Sequence, residues 1–226
     1  MLDTSEQEVT TLLIDIGGGT TDVGVFRRGT LTHSAVIPLG GDHITQDISQ
    51  LLRIPPDEAE RVKKRYGVAV PDLADRDVVL EVANPNFTAS LTTFELAQVI
   101  RPRVIEILDL VKQNIEQRMG ALELLAGNVV ITGGASMMVG LDQVALERFR
   151  LPVRIGKPHG FSGLTDVVAS PAHSTAVGLV RYGMQHGSTL PVSTNSRQRS
   201  SSTNTVTTTN DSNLIDRVRV FLKDFF

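Results

Sequence analysis

Three consecutive glycines, Gly17, Gly18 and Gly19, connect two apolar runs near the start of the chain. The runs at residues 12–16 and 23–26 are rich in β-branched residues, so the glycines are predicted to form the turn of a β-hairpin. Glycine gives the backbone access to positive φ and removes side chains that would keep an anion away from the N–H groups. The stretch therefore favours a phosphate-binding hairpin, and an ordinary tight hairpin is the alternative.

The residues beside the glycines carry polar groups that suit a phosphate and a metal ion. Thr20 and Thr21 would add hydroxyl donors, and Asp15 could hold a hydrated metal ion or orient a water molecule. The spacing excludes two common nucleotide motifs. The pattern G-x-G-x-x-G fails at Asp22, and the pattern G-x-x-x-x-G-K-[ST] lacks its lysine.

Composition excludes several other functions. The chain has 226 residues, 41% of them hydrophobic, and a net charge of −3, which suits a globular protein and argues against nucleic acid as a partner. It has no cysteine, so disulfides, thiolate metal sites and a cysteine nucleophile are excluded. Residues 1–10 lack the apolar centre of a signal peptide, and no apolar run is long enough to span a membrane, so we expect a cytoplasmic protein.

A second glycine turn, Gly133-Gly134, follows a predicted strand at residues 128–131 and leads into a helical segment that reaches about residue 149. At such a corner, backbone N–H groups and the helix dipole face a ligand. A close-packed corner between strand and helix would show the same pattern, so this turn does not identify a site by itself.

Hydrophobic periodicity and turn residues predict the remaining elements. The predicted strands are residues 31–38, 78–82, 87–91 and 153–155. The predicted helices are residues 44–52, 57–66, 92–120 and 171–182. Thr92 and Glu95 form a capping box at the start of the third helix, and Pro102 is expected to kink or divide that helix.

Composition changes after residue 187. Residues 188–213 consist almost entirely of Ser, Thr, Asn and Gln. Such a segment cannot bury enough apolar surface to fold, so it is predicted to be a disordered linker, with a mean reach of about 28 Å.

Residues 214–226 are predicted to form an amphipathic helix after this linker. Its apolar face consists of Leu214, Ile215, Val218, Phe221, Leu222, Phe225 and Phe226. Paired phenylalanines beside Arg and Lys suit the interface of a lipid bilayer. The alternative is a helix that docks back onto the domain.

Five segments together resemble the actin-like ATPase superfamily and, within it, the bacterial cell-division family FtsA. The segments are LLIDIGGGTTDVGVF, IPLGGDHITQDIS, AERVKKRYG, VVITGGASMMVGL and SPAHSTAVGLVRYG. The first is similar to the family's second phosphate motif and the fourth to its adenosine motif, while the terminal helix resembles a membrane-targeting sequence. The resemblance covers nearly the whole chain but only the second half of the family's pattern, so we expect a second lobe without the first.

The resemblance implies a site for ATP and Mg²⁺. Phosphates would lie against residues 17–21, and Asp15 would lie near the metal ion. The adenosine would contact Gly133, Gly134, Ser136 and Met137, and it would also contact Glu60 and Lys63, a pair that otherwise is typical of a solvated helix face. Because the opposing lobe would supply the rest of the cleft, we expect weak ATP binding by this chain and no efficient ATPase activity.

The implied fold is α/β, an actin-like (RNase H-like) lobe with a mixed β-sheet and flanking helices. Residues 1–66 and 126–187 would form the sheet subdomain, and residues 67–125 a smaller α+β subdomain. Residues 188–213 would be the linker and 214–226 the membrane-targeting helix.

The implied function is to anchor filaments of the tubulin-like protein FtsZ to the cytoplasmic side of the cell membrane at the division site. Such proteins also self-associate into actin-like polymers. Arg101 and Arg103 would grip the acidic tail of FtsZ, since guanidinium groups suit carboxylates. The alternatives are an actin-like ATPase of the chaperone or kinase type and a pilus-assembly relative. The tethered helix argues against the first of these.

Overall fold

The computed structural model describes residues 2, 6, 8–82, 91–122, 126–159 and 168–186. The chain divides into two compact units, Met1–Ser188 and Thr189–Phe226. The predicted amphipathic helix and nearly all of the predicted linker belong to the second unit, and both predictions lie outside the described residues. The predicted boundaries of the smaller subdomain stay predictions.

A five-stranded mixed sheet forms the centre of the first unit. Its strands are β1 (Thr11–Ile16), β2 (Thr21–Arg27), β3 (Thr30–Ile37), β4 (Asn128–Thr132) and β5 (Val153–Ile155). The spatial order is β3-β2-β1-β4-β5. The first three strands form an antiparallel meander, whereas β4 and β5 run parallel to β1. The predicted α/β lobe with a mixed sheet is therefore confirmed.

The helices follow the predicted apolar periodicity. Their bounds are α1 (Gly41–Leu52), α2 (Pro56–Tyr66), α3 (Thr93–Met119), α4 (Leu141–Phe149) and α5 (Ser174–His186). Short 3-10 turns cover Pro71–Leu73, Gly134–Met137 and Pro171–His173. No helix among the described residues is both long and apolar enough to cross a membrane.

The alternating burial of side chains along β1 shows which face of the sheet packs against the helices. Leu12, Ile14 and Ile16 are almost completely buried, whereas Leu13 and Asp15 on the opposite face are half-buried. The buried face belongs to one hydrophobic core, which also contains apolar residues of α1, α3 and α4. Burial of each large apolar side chain stabilises the fold by about 1.5–3 kcal/mol.

The long helix α3 begins where the sequence predicts it. The side-chain oxygen of Thr92 accepts a bond from the backbone N–H of Glu95, and the Glu95 carboxylate accepts one from the N–H of Thr92 at 2.8 Å, which confirms the predicted capping box. Pro102 lies inside α3 and does not divide it. Ile100 and Val104, buried on either side of the proline, offset the hydrogen bond that proline cannot donate.

The structure describes only part of the region before α3 for which the sequence predicts two strands. In the described part of this region, Val79 forms an isolated antiparallel bridge with Thr92, and the N–H of Leu80 donates to the carbonyl of Leu91. The prediction of a strand at residues 78–82 is therefore wrong. Most of the second predicted strand, residues 87–91, lies outside the described residues.

Replacing Pro102 by alanine should stabilise the protein. Alanine restores a backbone N–H that can donate to the carbonyl of residue 98, so we expect the free energy of unfolding to rise by about 1–3 kcal/mol. Urea denaturation measures this change. Gln98→Ala, on the same exposed helix face, should shift stability by less than about 0.5 kcal/mol. A loss of stability in Pro102→Ala would contradict the interpretation.

Candidate functional site

Parallel pairing brings the two glycine turns together. Asp15 at the end of β1 is in register with Thr132 at the end of β4, so both turns leave the same edge of the sheet. The turns are in direct contact there. A Cβ atom on Gly133 would lie 2.4 Å from Asp15 Oδ1 and 2.4 Å from the carbonyl oxygen of Ile16. Gly133 also has a φ of +90°, so the backbone conformation itself favours glycine.

The first turn closes on itself through one backbone bond. The N–H of Gly17 donates to the carbonyl of Thr20 at 2.9 Å. Among the described residues, the glycines with positive φ are Gly29, Gly120, Gly133 and Gly140. The expectation that the hairpin glycines use positive φ is therefore wrong. Gly18 is instead limited by space, because a Cβ there would lie 2.9 Å from a carboxylate oxygen of Asp42, whereas a Cβ on Gly19 would have no atom within 4 Å.

The start of α1 orients the hairpin. The N–H groups of Gly41 and Asp42 donate to the carbonyls of Gly17 and Gly18, each at 2.9 Å. In a trans peptide the carbonyl and the next N–H point in opposite directions, so the N–H groups of Gly18 and Gly19 point away from α1. Both glycines are exposed, and no described residue accepts a bond from either N–H. We call these two N–H groups the cradle, because outward-facing backbone N–H groups of this kind are able to bind an anion.

The two threonines of the hairpin differ in their surroundings. Thr20 is exposed, and its hydroxyl lies 3.4 Å from a carboxylate oxygen of Asp22. Thr21 is fully buried, and its hydroxyl donates to the carbonyl of Leu39 at 2.8 Å. The structure therefore brings Thr20 to the open side of the hairpin and holds the Thr21 hydroxyl inside the fold.

Asp15 is half-buried at the end of β1, and its Oδ2 accepts a bond from the Thr175 hydroxyl at 2.6 Å. Within the described residues, no group of three or more His, Cys, Asp or Glu could hold a metal ion. Mg²⁺ commonly takes one or two protein carboxylates and completes its shell with water and phosphate oxygens. The Asp15 carboxylate, near the outward N–H groups of the hairpin, fits that manner of binding.

The second turn presents an open surface beside the cradle. Gly134 is exposed, with no atom within 4 Å of where its Cβ would be, and Met137 is 58% exposed. Ser136 is buried, and its hydroxyl donates to the carbonyl of Gly133 at 2.7 Å. The predicted helix after the glycines is present and ends at Phe149, but one 3-10 turn intervenes and α4 begins at Leu141, so the N-terminus of α4 does not lie at the glycines.

Glu60 and Lys63 lie close to the hairpin but bond within the chain. Lys63 Nζ lies 2.6 Å from Glu60 Oε2, and it donates to the carbonyl of Gly41 at 2.9 Å and to Thr45 Oγ1 at 2.8 Å. Burial favours a higher pKa for Glu60, but hydrogen bonds from Lys63 and Thr45 and the ammonium charge outweigh it, so the pKa is lowered. The pair therefore joins α2 to the start of α1.

Arg101 and Arg103 make ion pairs between helices. Arg103 forms two bonds to Asp47 of α1, at 2.8 and 2.9 Å, and a third to Glu106. The bonds to Asp47 keep the pKa of Arg103 above its ordinary value despite partial burial. Arg101 lies 2.6 Å from Glu147 of α4. A carboxylate of a bound peptide would have to compete with these internal partners.

Sequence reasoning missed two parts of this site. Gly40 and Gly41 were not predicted to belong to the site, yet a Cβ on Gly40 would lie 2.3 Å from the carbonyl oxygen of Gly18. A glycine pair at the junction of a strand and an amphipathic helix was an available signal. The bond from Thr175 to Asp15 joins residues 160 positions apart, and no local pattern indicates it.

Solved structures with the same fold include MreB5 of Spiroplasma citri bound to ADP, with a TM-score of 0.57 and 23% identity over 80% of this chain and 57% of that chain. A PilM–PilN type IV pilus biogenesis complex gives a TM-score of 0.56 with 18% identity over 78% of this chain and 47% of that chain. A MamK double helical filament gives 0.51, with 19% identity over 76% of this chain and 54% of that chain. The fold is that of the actin-like proteins.

Sequence comparison then identifies the family. The model for "Cell division protein FtsA" matches residues 12–178. The FtsA protein of Pseudomonas aeruginosa is 42% identical over 187 residues, which cover 82% of this chain and 45% of that protein. The FtsA protein of Bacillus subtilis is 40% identical over 82% of this chain and 41% of that protein. The chain belongs to the FtsA family of cell-division proteins and spans less than half the length of these relatives.

Gly133 and Gly134 provide a matched test of the contact between the turns. Gly133→Ala should lower the free energy of unfolding by about 2–4 kcal/mol, because the new Cβ would collide with β1 at an unfavourable φ. Gly134→Ala places the same methyl group in open space and should change stability by less than about 1 kcal/mol. Thermal and urea unfolding measure both. Equal effects of the two substitutions would contradict the described contact.

The lowered pKa of Glu60 predicts a loss of stability in acid. Because the folded-state pKa lies below the ordinary value of 4.5, the unfolded chain takes up the proton first, and acid favours unfolding. The stabilisation by Glu60 should be complete above about pH 4.5 and should disappear as the pH falls through the folded-state pKa. Unfolding of the wild type and Glu60→Gln should therefore differ at neutral pH and converge in acid. Glu8→Gln, at an exposed position, is the control, and a constant difference for Glu60→Gln would contradict the prediction.

Proposed function

We propose that the chain forms one wall of an ATP cleft in an FtsA cell-division protein and attaches that protein to the membrane. The observation that carries the first part is the contact of two glycine turns at one edge of the sheet, where the N–H groups of Gly18 and Gly19 face away from the fold. Membership of the FtsA family supports the role in cell division over a chaperone, kinase or pilus-assembly role.

Each residue of the proposed cleft has a distinct task. The N–H groups of Gly18 and Gly19 donate to phosphate oxygens, and Asp15 holds a hydrated Mg²⁺ ion, which neutralises phosphate charge when it is bound. Thr175 orients the Asp15 carboxylate through its hydrogen bond. Gly134 and Met137 provide the open surface on which the adenosine lies.

The isolated chain should bind ATP weakly. The match covers less than half of each of these relatives, and the family resemblance assigns the opposite wall of the cleft to the other lobe. Half of the contacts cannot supply the full binding energy, so we expect calorimetry to give a dissociation constant weaker than the micromolar range. A micromolar or tighter constant would contradict this prediction.

The proposed membrane anchor is the amphipathic segment 214–226. Its basic residues Arg217, Arg219 and Lys223 are largely balanced by Asp216 and Asp224, so insertion of the apolar face is the main source of affinity. One such helix binds reversibly, and several linked copies in a polymer would bind firmly by avidity.

Liposome flotation tests the anchor. The double variant Phe221→Ala, Phe225→Ala removes two large side chains from the apolar face and should reduce the floated fraction by at least about tenfold. Val220→Ala, outside that face, is the matched control and should float like the wild type. Flotation of the double variant at the wild-type level would exclude the anchor.

We extend the proposal to FtsZ as the partner that is anchored. In a mixture of FtsZ and vesicles, the wild-type chain should bring FtsZ filaments to the floated fraction, and the double phenylalanine variant should not. Arg101→Gln with Arg103→Gln tests the predicted tail contact without reversing charge beside Glu147 and Asp47. A floated chain that leaves FtsZ in solution would contradict this part of the proposal.

A further inference from the structure

Lys63 has an unusual position for a lysine on a helix surface. Its side chain is 10% exposed, and its ammonium group reaches three oxygen atoms: Glu60 Oε2, the carbonyl of Gly41 and Thr45 Oγ1. These three partners match the three N–H donors of an ammonium group. Since two of them belong to α1, the ammonium group connects α2 to the first turn of α1.

Gly41 is the residue through which this connection reaches the candidate site. Its N–H donates to the carbonyl of Gly17, while its own carbonyl accepts from Lys63. A Cβ on Gly41 would lie 3.4 Å from Lys63 Nζ, 3.4 Å from the carbonyl oxygen of Gly17 and 3.3 Å from Ala135 Cβ. Gly41 therefore bonds to both α2 and the glycine hairpin, and a side chain at this position would crowd Ala135 of the second turn.

Glu60 explains how a cation can be held at this place. The N-terminus of a helix carries partial positive charge, so an ammonium group beside the first turn of α1 is unfavourable by itself. The Glu60 carboxylate lies 2.6 Å from Lys63 Nζ and supplies the compensating negative charge. The lowered pKa of Glu60 agrees with this balance, because the carboxylate stays ionised.

We propose that Lys63 is a positioning residue for phosphate binding: acting through Gly41, it fixes the first turn of α1 and so aims the N–H groups of Gly18 and Gly19 outward. This inference rests on the proposed ATP site. The family resemblance implies instead that Lys63 contacts the ribose of the nucleotide. The two roles differ because a positioning Lys63 should affect the binding of phosphate groups even when no adenosine is present.

Amide hydrogen exchange in the ligand-free protein tests the positioning. The amides of Gly41 and Asp42 donate to the hairpin carbonyls, so their protection reports on the junction between α1 and the hairpin. Lys63→Met keeps the aliphatic stem and removes the ammonium group. We expect it to speed exchange at both amides by about tenfold, the effect of losing one charge-assisted hydrogen bond.

Ligand titrations followed by amide chemical shifts separate positioning from ribose contact. Pyrophosphate, adenosine and ADP are added in turn, and the shifts of Gly18 and Gly19 are measured. Lys63→Met should weaken pyrophosphate binding at least about fivefold if Lys63 positions the hairpin. Lys64→Met is the matched control, since Lys64 lies 3.4 Å from Glu60 but is 75% exposed, and it should leave exchange and binding within about twofold of the wild type.

Three outcomes would overturn part of this account. Unchanged exchange and unchanged pyrophosphate binding, with adenosine binding lost, would make Lys63 a ribose contact. If Lys63→Met and Lys64→Met changed amide exchange and pyrophosphate binding equally, the cause would be the loss of one positive charge and not the position of Lys63. If the wild type responded to none of the ligands, the proposed ATP site would fail, and the exchange experiment would still decide whether Lys63 fixes the junction. Should Lys63→Met not fold, Thr45→Val removes one of the three oxygen partners and is measured in the same way.

Discussion

The site depends on the close approach of glycine backbone segments at one edge of the sheet. Gly40 lies against the hairpin and Gly133 against the end of β1, and in both cases a Cβ would come within 2.4 Å of a backbone carbonyl oxygen. Side chains at these positions would push the elements apart and lengthen the 2.9 Å bonds from Gly41 and Asp42. The parallel pairing of β1 and β4 brings the turns to one edge, and the glycines let them touch.

This arrangement uses a helix N-terminus differently from a simple anion site. In many phosphate sites the first N–H groups of a helix contact the anion directly. Here the N–H groups of Gly41 and Asp42 are occupied by hairpin carbonyls. The same peptide units then present the N–H groups of Gly18 and Gly19 on their far side. The peptide units Gly17–Gly18 and Gly18–Gly19 are therefore aligned with the dipole of α1. Aligned hydrogen bonds polarise and strengthen one another.

Local pattern was sufficient to predict most elements, because the apolar residues of β1, α1 and α3 follow the strand and helix periods closely. It was also sufficient to find both glycine turns. The local pattern overestimated the effect of Pro102, because packing on either side offsets the cost of the proline. The pattern also could not reveal that Thr21 is buried or that Arg103 faces Asp47. Those facts depend on pairs such as Arg103 and Asp47, 56 positions apart. Residues so far apart in the sequence share no periodic pattern from which their contact could be predicted.

The ion pairs of α3 connect the helices that surround the site. The first turn of α1 holds the hairpin, and Asp47, six residues later and about 9 Å along the helix, holds Arg103 of α3. Arg101 then joins α3 to α4. Because a hydrogen-bonded helix shifts largely as a unit, a displacement of the hairpin by bound phosphate would act on Arg103 as well as on Lys63. The Arg103–Asp47 pair therefore holds α1 against α3, as the Lys63–Glu60 pair holds it against α2.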